Sequence, residues 1–163
     1  MQLDILDFTK KLLSKCISVK VQQFKKSSLD SLTFDENLDF SSMINYHLLR
    51  CIKEYIKQCE TSKITNIITP LHTQYYILCV SKEDDEHLMI GPFVENPITD
   101  NLVYPIINNL KLNLDYTAKL RLYYQSVPSI NTSIVFEILS TINEYVTKNQ
   151  LPPRVNTLDL SVL

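Results

Sequence analysis

The sequence predicts an α+β domain: an antiparallel β-sheet of about five strands with helices on both faces, followed by a C-terminal helical segment. Three patterns carry that expectation. In ISVKVQQF, Ile17, Val19 and Val21 alternate with Ser18, Lys20 and Gln22, the period of a half-buried strand. In YYILCV (75–80) and HLMIGPFV (87–94) both parities are apolar, as in strands covered on both faces. Over residues 39–60, Phe40, Met43, Ile44, His47, Leu48, Cys51, Ile52, Tyr55, Ile56 and Cys59 fall on one helical stripe.

In chain order, Leu3, Ile5, Leu6, Phe8, Leu12 and Leu13 give a short amphipathic helix. The alternating strand follows, and LDSLTF (29–34) is read as a second one. The long helix starts at a cap supplied by Asp39 or Ser41. Three strand-length runs come next, KITNIITPL, QYYILCVS and EHLMIGPFV, separated by the turns PLHT and SKEDDE. A helix is expected over residues 100–112, with Pro105 kinking it or delaying its start. Asp115 is expected to cap a helix over 116–125, and Ser126-Val127-Pro128-Ser129 to break it. Asn131 then caps a last helix ending near residue 149. Pro152-Pro153 stops it, so residues 1–150 form the domain and 151–163 read as a linker.

Gly91 is the single glycine of 163 residues. A glycine inside a strand marks close backbone approach or a bulge. Strand parity puts it on one face with Met89 and Phe93, where it is expected to serve either as a packing notch beneath a helix or as the floor under a ligand. Pro92 lacks an N–H, so regular pairing is expected to end there.

The composition limits the function. Hydrophobic residues make up 45% and charged residues 21%, with net charge −2 and a pI near 5.9. With no basic stripe, this segment is not expected to grip DNA. The longest apolar run falls far short of the roughly 20 residues of a membrane span, and the N-terminus lacks a signal-peptide core, so a cytoplasmic location with Cys16, Cys51, Cys59 and Cys79 as free thiols is expected. One glycine excludes a phosphate-cradling loop and a nucleophile elbow. His47 and Cys51 lie one helical turn apart, but no second pair completes a metal site. Cys51 and Cys59 are about 12 Å apart along a helix, too far for a disulfide. Glu83–Glu86 reads as a solvated hairpin turn, and His72 and His87 as exposed. Neither an enzymatic role nor a cofactor is expected.

LMIGPF (88–93) closes a strand, and YYQSVPSI (123–130) joins two helices about 30 residues later. Their order and spacing resemble the N-terminal sensory domain of AraC-type bacterial transcription regulators, over roughly residues 60–150. The resemblance implies a GAF/PAS-like fold, a small-molecule effector, homodimerisation, and DNA binding by helix-turn-helix units outside this chain. The alternative is a protein-interaction domain of the same fold without a small ligand. An effector pocket is expected between the 39–60 helix and the sheet, with His47, Cys51 and Tyr76 as its polar groups. The dimer face is expected on the last helix, at Ile138, Tyr145 and Val146.

Overall fold

The computed structural model describes residues 2–25, 27–28, 49, 52–53, 63–81, 83–147, 154–159 and 161, and the architecture below is that of these residues. Helix α1 (Gln2–Lys11) runs into a π-helical turn (Leu12–Cys16). Strands β1 (Val21–Lys25), β2 (Lys63–Ile68), β3 (Gln74–Ser81) and β4 (Glu86–Phe93) follow. Then come α2 (Asp100–Asn109), α3 (Thr117–Ser126), α4 (Thr132–Thr147) and β5 (Arg154–Asp159). The strands form one sheet in the order β1-β4-β3-β2-β5.

The pairings β1–β4, β4–β3 and β3–β2 are antiparallel, as expected, but β5 lies parallel to β2, so the sheet is mixed. Residues 154–159, read as linker, are therefore a sheet strand. Among its described side chains, Val155 to Thr157 and Asp159 are exposed and Leu158 packs inward. An edge strand with so little apolar surface carries a weak alternation signal. The expected strand at 29–34 lies outside the described residues.

The two-sided strands do separate two cores. Tyr75, Ile77, Met89, Ile67 and Phe24 join Val103, Ile106 and Ile107 of α2 and Leu120 and Tyr124 of α3 on one face. Tyr76, Leu78, Val80, Leu88, Ile90 and Phe93 join Leu13, Val19 and Val135, Leu139 and Ile142 of α4 on the other. Of the expected 39–60 helix, Leu49, Ile52 and Lys53 are described and helical, and Ile52 is buried in the first core.

Helix α2 passes straight through Pro105. The proline sits on the exposed side, where water can take the Asn101 carbonyl whose helical partner it removes. The same helix ends in a left-handed residue without glycine: Lys111 has φ 55°, its N–H donates to Asn108 O, and Leu112 N–H donates to Ile107 O. Ser18, His72 and Asp85 also take positive φ. Asn113, not Asp115, does the capping ahead of α3, accepting from the Asp115 N–H at 3.2 Å. Asn131 caps α4 as expected, accepting from the Ser133 N–H at 2.9 Å.

Gly91 has φ 141° and sits in a bulge. Gln74 pairs with Phe93 and Tyr76 with Ile90, so Gly91 and Pro92 together oppose Tyr75 alone. The extra residue reverses the parity after it, which puts Phe93 on the face opposite Met89. Pairing thus resumes beyond Pro92 instead of ending. The neighbour at the notch is the adjacent strand: a Cβ on Gly91 would lie 2.6 Å from Gln74 O and 2.7 Å from Tyr75 Cδ1.

Candidate functional site

Pro128 bars the α conformation at the residue before it, so Val127 is extended (φ −79°, ψ 124°) and α3 stops at Ser126. The freed segment runs alongside the end of β4. Val94 N–H donates to Pro128 O at 3.0 Å, Ile130 N–H donates to Val94 O at 2.9 Å, and Ser129 Oγ donates to Glu95 O at 3.2 Å. Val94 and Glu95, which directly follow the GPF stretch, are thereby clasped to residues 128–130, far away in sequence. Tyr124, one turn before the break, donates its hydroxyl to Leu71 O at 2.7 Å, anchoring α3 to the β2–β3 turn. That turn is itself held by the Thr69 and Thr73 hydroxyls, 2.7 Å apart.

Beside the clasp a groove of about 650 Å³ opens between the start of α2 and the end of α3. Pro97, Ile98, Val103 and Val127 give it apolar walls, Tyr124 also lines it, and Thr99, Gln125 and Ser129 add polar side chains. Across its rim, Arg121 grips Asp100 with two bonds, Nε to Oδ1 at 2.8 Å and Nη2 to Oδ2 at 3.2 Å. Nη2 also donates to the Tyr104 hydroxyl at 3.3 Å. The hydrogen bond to Asp100, and then its charge, hold the Arg121 guanidinium above its already high usual range. Because the pair is open to water it adds little net stability; it is a fixed donor–acceptor couple at the groove mouth. A volume of this size suits a small molecule.

Of the expected site residues, the side chains of Tyr76 and Ile138 are described, and neither lines this groove. Tyr76 is buried in the second core, its ring stacked on Phe93 at 5.4 Å between centroids. Burial, and to a lesser degree the charge of Glu95, push its hydroxyl pKa up. Ile52, from the stretch that carries His47 and Cys51, packs on the opposite face. His47 and Cys51 themselves lie outside the described residues. Ile138 is half-buried against the second core. Tyr145 and Val146 belong to α4, but their side chains lie outside the described residues.

His87, expected at the surface, is 1% exposed. Its ring stacks on Phe24 and Nε2 meets Asp85 Oδ1 at 2.9 Å, contacts made by a cross-strand neighbour and a hairpin residue. The acidic turn is thus partly an anchor for this histidine. Among the described residues no group of three His, Cys, Asp or Glu side chains could hold a metal ion, and no helix is long and apolar enough to cross a membrane.

No local pattern marks Asp100 and Arg121 as partners. They lie 21 residues apart on different helices, and each alone reads as an ordinary surface charge. Comparison with known proteins yields no family model, no curated protein and no solved structure that matches the chain.

Proposed function

We propose that the chain is a regulatory, ligand-sensing domain of the AraC-type sensory kind, with a GAF/PAS-like α+β fold and the groove at α2 and α3 as its effector site. One observation carries this reading: the second motif is clasped to the residues that directly follow the first, and the groove opens beside that clasp. Val127 and Ser129 line the groove and also lie within the segment that leads into α4. A molecule held there touches the connection between the sheet and α4 and can bias the position of that helix. In such regulators DNA is contacted by a separate domain, and α4 is where two copies would pair. On α4, Ile134 is 53% exposed, which supplies apolar surface for that contact beside the half-buried Ile138.

The test is a thermal-shift screen of the chain against a metabolite library, repeated on Gln125→Trp. Gln125 is exposed and makes no hydrogen bond that the fold depends on, so the indole fills the groove without removing a core contact. Compounds that raise the melting temperature of the wild type and not of the variant are expected. Hits that bind both proteins equally, or a screen without hits, would overturn the assignment of the groove.

A further inference from the structure

The charge arrangement at the groove narrows the class of ligand. Among the described residues the rim carries one cation and one anion, paired with each other. A purely anionic ligand would have to meet Asp100 as well as Arg121, and a purely cationic one the reverse. A molecule with both charges on neighbouring atoms can enter the pair without leaving either group unmatched. We infer that the groove takes a zwitterionic, amino-acid-type ligand, its carboxylate on Arg121 and its ammonium on Asp100, with an apolar side chain along Ile98, Val103 and Val127. This rests on the proposal that the groove is an effector site.

Several features fit this ligand. Arg121 uses Nε and Nη2 on Asp100 and Tyr104, which leaves the Nη1 hydrogens to donate to a carboxylate oxygen in a charge-assisted bond. The pair is exposed on both sides, with side-chain accessibilities of 42% for Arg121 and 63% for Asp100, so opening it sacrifices little. The Thr99 hydroxyl makes no cap bond to its own helix and is available at the same rim. Ile98, half-buried over the buried Val103 and Val127, gives that side of the groove an apolar wall without charge, which suits an aliphatic side chain better than a second charged group.

The experiment titrates the full chain by calorimetry with L-leucine and with three analogues that each lack one charge: 4-methylpentanoate, L-leucinamide and N-acetyl-L-leucine. L-leucine is expected to bind at least tenfold tighter than each analogue. Asp100→Asn should erase its advantage over 4-methylpentanoate, and Arg121→Gln its advantage over L-leucinamide. This exchange of preferences is something a merely structural ion pair would not produce. If the singly charged analogues bind the wild type as well as L-leucine, the zwitterion inference falls while the groove stands. If none of these probes binds but compounds of another class give hits that Gln125→Trp abolishes, the ligand class is wrong and the sensory reading survives. If neither probes nor library compounds bind, both fall.

Discussion

Substituting Gly91 with alanine tests the packing of the sheet at its tightest point. The backbone there has φ 141°, a region closed to residues with a Cβ. The added methyl would also stand 2.6 Å from Gln74 O, 2.7 Å from Tyr75 Cδ1 and 3.1 Å from Tyr75 Cα. Two of these three atoms belong to the β3 backbone, held on its other side by β2, so the neighbour cannot swing away as a flexible side-chain end would. Backbone strain of this kind costs about 1–3 kcal/mol, and overpacking of a filled interior about 1–3 kcal/mol more. Gly91→Ala is therefore expected to lose about 2–6 kcal/mol of a total that for such domains is about 5–15 kcal/mol. In urea, at a slope of about 2 kcal/mol per molar, the midpoint should fall by about 1–3 M. The assay is equilibrium unfolding followed by circular dichroism, with the slope compared between the two proteins. A variant within about 0.5 kcal/mol of wild type, the range of ordinary surface substitutions, would refute the reasoning and show that the bulge relaxes freely.

Three further outcomes follow from named contacts. Tyr124→Phe removes the donor to the buried Leu71 carbonyl and should cost about 1–3 kcal/mol in the same unfolding assay; a neutral result would mean that the carbonyl finds another donor. Lys111→Gly should stabilise by about 0.5–1 kcal/mol, because glycine takes the left-handed cap position without the cost of a Cβ; a loss of stability would contradict the strain assigned to that position. Tyr76 has its folded-state pKa raised above the ordinary 10.0 by burial first and Glu95 second, so its contribution is fully present below about pH 10 and is lost as pH rises through the folded value. Tyr76→Phe should accordingly flatten the alkaline limb of a stability-against-pH curve, and an unchanged limb would show that Tyr76 does not titrate with unfolding.

The parts of the fold that were legible in sequence are those fixed by local periodicity. Tyr75 to Val80 is apolar at both parities, and the structure distributes those side chains between two cores as that pattern requires. Asn131 ahead of an apolar helical stripe marks the start of α4, and the structure places a cap there. What escaped depends on contacts between distant segments. Strand β5 gains its place from pairing with β2, and its exposed Val155, Asn156 and Thr157 carry no core signature. His87 is buried by Phe24 and Asp85, and the bulge that reverses Phe93 comes from how β3 and β4 meet. The same limit applies to the candidate site. The two motifs that carry the resemblance are visible in the sequence, but the backbone contact between Val94 and residues 128–130, and the Asp100–Arg121 couple beside it, arise only once the helices are packed.

The central claim, that the groove beside the clasp is where this domain meets its effector, is tested most directly by amide chemical-shift mapping. The isotope-labelled chain would be titrated with L-leucine and with compounds that raise its melting temperature. The amides of Thr99, Asp100, Val103, Arg121, Gln125 and Ser129 are expected to shift together with one saturation constant, followed by those of Val94 and Ile130 in the clasp. Saturable shifts confined to other parts of the molecule, with these amides unmoved, would contradict it.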